Sequence, residues 1–229
     1  MYLQAWVTAY FIAAIFCILT ARLFIKSKNT SRLLLGYLVI ASGCWALLDG
    51  LTQILNPEIS LVIQNGALFV SAFVAFLFFF LSYSFIKHIE RKTLYLLVLI
   101  PLFVGLLFSL FGDIYYSAER VYMNGFSYVH MIYNDVNYTL TVSILFILIL
   151  AGFILIGIAV KTTRDETLRK NIKFFTAGTL TAVASTYILG SGEVLYHLPP
   201  LSSIAISIGI AISSLSFKTK RHGEPTRPI

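Results

Sequence analysis

Two carboxylates stand inside stretches that are otherwise hydrocarbon: Asp49 in CWALLDGLTQIL and Glu193 in LGSGEVLYHLPPLSS. An ionised group at the centre of a bilayer is unfavourable by about 3 kcal/mol on insertion scales, so each is a functional candidate. Their neighbours set what they could do. Trp45, Asp49 and Gln53 are spaced i, i+4, i+8 and form one line down a helix. The next apolar run enters with Gln64 and Asn65, and His197 follows Glu193 by one helical turn. A carboxylate, amides and an aromatic ring on converging faces would form a ligand pocket. Glu193 beside His197 would form a latch sensitive to protonation or to a ligand. The candidate ligand-binding residues are therefore Asp49, Trp45, Gln53, Asn65, Glu193 and His197. The expectation is that helices 2, 3 and 6 converge on one pocket open to the outside, roofed by His130 and nearby tyrosines. A plainer reading stands beside each. Asp49 can snorkel or bond a neighbouring helix, Glu193 and His197 can mark a helix end, Trp45 can pack, and the amides can lie where polar residues end a span.

Other chemistries find little support. A retinal Schiff base needs a lysine in the bundle, and LSSIAISIGIAISSLSF has none. The histidines are His88, His130, His197 and His222, without the HExxH spacing of a zinc hydrolase helix. GxSxG, P-loop and dinucleotide fingerprints are missing. The expectation is no catalytic residue, no metal, no cofactor and no nucleic-acid partner. The net charge of +7 is read as serving topology and attraction to anionic headgroups instead.

The elements that must position these residues are apolar. The chain of 229 residues is 58% hydrophobic and 12% charged, against about 25% charged in soluble domains. A bilayer crossing needs about 20 consecutive apolar residues. Seven segments meet or approach that length, at 4–25, 33–54, 60–86, 93–112, 138–160, 173–195 and 200–217. The fold class expected is all-α: a seven-transmembrane helix bundle over 1–217 with a short basic tail at 218–229. The first segment lacks an early basic residue and reads as a retained helix rather than a cleaved signal. Cys17 and Cys44, each near the middle of a span, read as small buried hydrophobes.

Charge sets the orientation. Sixteen of the 17 Lys and Arg fall after helices 1, 3, 5 and 7 or just before the helices that follow, and only Arg120 lies on the other side. The positive-inside rule then puts the N-terminus outside and the C-terminus in the cytoplasm. In KTTRDETLRKNIK, Thr163 and Glu166 fit a capping box, and Asp165–Arg169 and Glu166–Lys170 fit i,i+4 pairs. The outer stretch 113–138 holds six of the 13 tyrosines and reads as a partly ordered cap on the membrane surface, with no strands expected. In the last helix, Ser203, Ser207 and Ala211 stand four apart, as do Ala205, Gly209 and Ser213. Such rows let helices approach closely, within the chain or in a homodimer.

Three stretches resemble the seven-transmembrane N-terminal sensor domain of prokaryotic histidine kinases. FLFFFLSYSFIKHIERKTLYLLVLIPLFV is similar to that family's third helix, basic turn and Pro-containing fourth helix. LRKNIKFFTAGTLTAV resembles its basic lead into helix 6, and LPPLSSIAISIGIAISSLSFKTKR its double-Pro turn, last helix and basic exit. The resemblance implies sensing, a prokaryotic cell membrane and a kinase or other signalling partner in the cytoplasm. The family's linker and output domain would follow helix 7, whereas here twelve residues follow Phe217. The expectation is a sensor module cut from a larger protein, or one that signals through partners. It would detect a small ligand or a membrane property at the outer side and relay it through helices 6 and 7. The rival readings are a membrane-embedded enzyme or transporter using Asp49, Glu193 and His197, and an accessory membrane subunit.

Overall fold

A computed structural model describes residues 5–90, 92–97, 99–101, 103, 114–123, 125–196 and 200–218. Asparagines start three of the long helices. Asn29 Oδ1 accepts from Arg32 N (3.1 Å) to open α2 (Thr30–Ile54). Asn56 Oδ1 accepts from Ile59 N (2.9 Å) to open α3 (Pro57–Ser84), with Pro57 in the first turn, where a missing N–H does no harm. Before them, a 3-10 turn at Ala5–Val7 leads into α1 (Thr8–Ala21). A short apolar helix, α4 (Lys92–Pro101), follows α3. Most of the rest of the fourth expected span lies outside the described residues.

The chain then departs from the sequence reading. Residues Tyr115–Met123 (β1) and Phe126–Tyr133 (β2) form an antiparallel hairpin where no strands were expected. Met123 pairs with Phe126 at the tip of the hairpin. Gly125 has φ +80°, the left-handed conformation that two-residue hairpin turns require. Tyrosines, valine and isoleucine fill both strands, the residue types that fit a pleated surface.

Asn134 Oδ1 caps α5 (Asp135–Thr162), accepting from Val136 N and Asn137 N. The expected start of helix 6 is shifted. Thr163 closes α5, its hydroxyl donating to Ala159 O at 2.6 Å, and Asp165 caps α6 (Glu166–Tyr196) by accepting from Leu168 N at 3.0 Å. The reason is local: α5 runs on through Thr162, and Asp is at least as good a cap as Thr. Glu166 and Lys170 form the expected pair at 3.2 Å. The last helix, α7 (Ser202–Ser214), ends in a 3-10 turn at Leu215–Phe217.

Four helices are long and apolar enough to cross a membrane: α2, α3, α5 and α6. α1, α4 and α7 are apolar but shorter. α2 packs on α1, α3 and α7; α3 packs on α5; α6 packs on α5 and chiefly on α7; and α7 also touches α1. The main core joins Leu34, Leu38, Leu77 and Leu81 to aromatic rings from three helices. Phe78, Phe175, Phe85 and Phe217 lie within 6.4 Å of one another in sequence of contact.

Burial is uneven. The apolar windows of α2 and α3 are 61% buried, those of α5 and α6 only 17% and 22%. Phe146, Ile147, Ile154 and Leu180 stand exposed on α5 and α6. Such continuous apolar surface is unfavourable in water and matched in hydrocarbon. Length, composition and this outward face together make the chain a membrane protein. Cys17 is buried as expected, whereas Cys44 is exposed, on a face of α2 that no described helix covers.

Candidate functional site

Asp49 lies just over one turn before the end of α2. Two side chains from other helices face its carboxylate: the Ser203 hydroxyl at the start of α7 and the Gln64 amide on α3. Neither closes the site. Among the described residues, Asp49 Oδ1 and Ser203 Oγ are both buried and have no hydrogen-bond partner. Ser203 is fully buried. Beside them a small apolar cluster of Val7, Tyr10, Ala13 and Ala46 walls off α1. Buried polar atoms are almost always bonded in folded proteins, so two orphans side by side mark a place where a further polar group would be favoured. A donor reaching Oδ1 and a group meeting the serine would complete it.

α7 is held against this site by small residues. Ser207, one turn below Ser203, donates to Ser42 O of α2 at 2.6 Å, and Cys17 of α1 donates to Ser207 O at 3.4 Å. Its opposite side meets α6. A Cβ placed on Gly209 would collide with the Ala182 methyl, and one on Gly178 of α6 with the Ser213 hydroxyl. Both rows of small residues are therefore used within the chain: one faces α1 and α2, the other faces α6.

The hairpin closes over the same end of α2. Gln53 Oε1 accepts from Val129 N at 2.9 Å, and Gln53 Nε2 donates to Thr52 Oγ at 3.1 Å. Arg120 reaches across from β1, with Nη2 donating to Leu55 O (2.6 Å) and Nη1 to Gln53 O (3.2 Å). These are the carbonyls that a helix C-terminus leaves unbonded, and a cation is favoured there by the helix dipole. Arg120, the one basic residue set apart from the others, is thus a cap for α2. Replacing Arg120 with methionine should loosen the hairpin by roughly 2–3 kcal/mol, the value of charged hydrogen bonds of this kind. Limited proteolysis near Asn124 checks this: cleavage should speed up at least tenfold in the variant, while an unchanged rate would mean that the guanidinium does not hold the hairpin.

The structure gives the sequence candidates different places. Asp49 is the centre of the site. Gln53 is occupied in tethering the hairpin, and Trp45 is half-buried, packed against the main core. From α3 it is Gln64, one position before Asn65, that faces Asp49; one residue is about 100° of rotation on a helix. His130 stands on β2 opposite Glu119. His197, Pro199 and the side chain of Glu193 lie outside the described residues, as does the tail from 219. The expected convergence of helices 2, 3 and 6 is corrected in one respect: α7 lies between α2 and α6, and it is α7 that brings Ser203 to Asp49. Ser203 was legible only as part of a packing row. No known protein family and no curated protein matches the sequence.

Proposed function

We propose that the chain is a receptor or sensor module of seven membrane helices, with its N-terminus outside and its C-terminus in the cytoplasm. It would receive a small ligand or a membrane property at the Asp49–Ser203–Gln64 site. One observation carries this reading. The same short helix, α7, presents Ser203 to the Asp49 carboxylate at one end, and the turn that closes its other end lines a cavity with Ser216, Phe217 and Lys218. A ligand can shift a conformational equilibrium only through different affinity for two arrangements. A carboxylate oxygen on α2 and a hydroxyl on α7, both without a partner among the described residues, supply such a difference, because a bound group can bridge the two helices. The basic segments gather at the far end of the bundle from the hairpin, which supports the proposed orientation. The resemblance to histidine kinase sensor domains agrees with it and points to a cytoplasmic kinase, adjacent or fused, as the receiver.

The test uses Asp49→Asn, which alters the receiving end alone. Hydrogen exchange should change around Thr167 and Lys218, at the opposite end of α6 and α7, by several-fold. Exchange across the outer strands should stay as in wild type. Identical exchange at the inner end would sink the coupling and leave the accessory-subunit reading in its place.

A further inference from the structure

The far end of the bundle holds a cavity of about 500 Å³, walled by the first turns of α2 and α6 and the last turns of α3 and α7. That size falls within the range of about 300–1,000 Å³ typical of small-molecule sites. Its wall is graded. Leu35, Leu81, Phe85 and Phe217 form the apolar side, with the Phe85 and Phe217 rings stacked at 5.5 Å. The polar side carries two cations, Arg32 and Lys218, with Asn29, Ser31, Asn171 and Ser216. Among the described residues the lining holds one acid, Asp165, whose Oδ1 accepts from Leu168 N at 3.0 Å. The lining is therefore net positive, and both α2 and α6 turn the positive ends of their dipoles toward it. Four helices meet here.

We infer that this cavity binds the phosphate headgroup of an anionic phospholipid, with Arg32 and Lys218 as the phosphate partners. The shared chemistry is a phosphate oxygen recognised by guanidinium and ammonium donors. The grade of the wall decides the source. A free phosphate is surrounded by water and gains nothing from Leu81 or Phe217, whereas a lipid carries glycerol and acyl carbons that match them. The position agrees, since the cavity lies where the apolar spans give way to basic segments, the level at which anionic headgroups sit. Nothing in this inference depends on the sensing reading; it stands on the lining alone.

The experiment is native mass spectrometry of the detergent-solubilised full chain, titrated separately with phosphatidylglycerol, phosphatidylcholine and inorganic phosphate. Phosphatidylglycerol should bind roughly 25-fold more tightly than phosphatidylcholine, and Lys218→Gln should remove about fivefold of that, the usual worth of one basic residue near anionic lipid. Arg32→Gln should do at least as much. Lys161→Gln, exposed on α5 and outside the cavity, should leave binding unchanged. Because Arg32 opens a helix, the folding of its variant is checked by the protection of Cys17 from thiol reagents. Lys218, exposed at the end of α7, carries the test if that variant fails. Equal affinity for the two lipids, or a Lys218→Gln protein that binds like wild type, would overturn the site. Millimolar phosphate that displaces the lipid completely, or binds alone with the same Lys218 dependence, would overturn the lipid as its occupant.

Discussion

Gly209→Val should lower the melting temperature of the solubilised protein by about 5–10 °C. Overpacking a closed interface is unfavourable by about 1–3 kcal/mol, and each kcal/mol is worth about 2–4 °C in a chain of this size. The opposing group is the Ala182 methyl, a Cβ fixed to the backbone of α6. It has no rotamer to escape into, so α6 and α7 must part along their seam and lose dispersion contacts on both sides. Helix propensity works the other way, since almost any residue is favoured over glycine in a helix interior by some tenths of a kcal/mol. A measured loss therefore belongs to the contact and not to the backbone. The readout is already in the chain: Cys17 is fully buried, and a thiol-reactive dye reports its exposure on heating once exposed Cys44 is replaced by serine. Gly209→Ala paired with Ala182→Gly should recover most of the stability. A Gly209→Val protein melting with wild type would show that the seam is looser than its geometry.

Asp49→Asn should move stability in the opposite direction, raising the melting temperature by about 3–8 °C. Among the described residues, one oxygen of the carboxylate is buried without a partner, and so is the Ser203 hydroxyl facing it. Each buried orphan is unfavourable by about 1–3 kcal/mol. The asparagine amide brings a donor to the serine oxygen and removes a charge from the membrane interior, where charge is disfavoured. Asp49→Leu should gain less, because Ser203 stays unsatisfied. Stabilisation by a substitution at a binding site is the usual sign that the native residue is kept for function at the expense of folding. Destabilisation by Asp49→Asn would mean that the carboxylate is a structural partner, and the proposed site would lose its centre.

Four of the seven expected spans, α2, α3, α5 and α6, were readable because length and hydrocarbon content alone report them. Asn29, Asn56 and Asn134 each precede an apolar run, so the starts of three helices carry a local signal. Thr163 and Asp165 carry the same kind of signal two residues apart, and only the true end of α5 decides between them. The hairpin had its own mark, Asn124-Gly125 between aromatic and β-branched residues. It was hidden because tyrosine is equally at home at the membrane surface. The role of Arg120 was not local at all: its partners Gln53 and Leu55 are more than 60 positions away. Asp49 stood out by charge. Ser203 and Gln64 did not, since which face a polar residue turns to a neighbour depends on helix rotation and neighbour order, and neither is written in the spacing of one helix.

The hydrogen bonds of α7 have a mechanical meaning. Ser207 fixes it to Ser42 O of α2 near its middle. Its two ends are tied to α6, where Thr186 Oγ1 donates to Ser202 O at 3.1 Å and Ser216 Oγ donates to Asn171 O at 3.3 Å. A rod fastened at both ends to one neighbour does not swing alone, so α6 and α7 form a yoked pair. A displacement imposed at Ser203 is therefore carried by both helices together to the end beside Lys218. α2, pinned above by Arg120, is the frame against which that pair shifts.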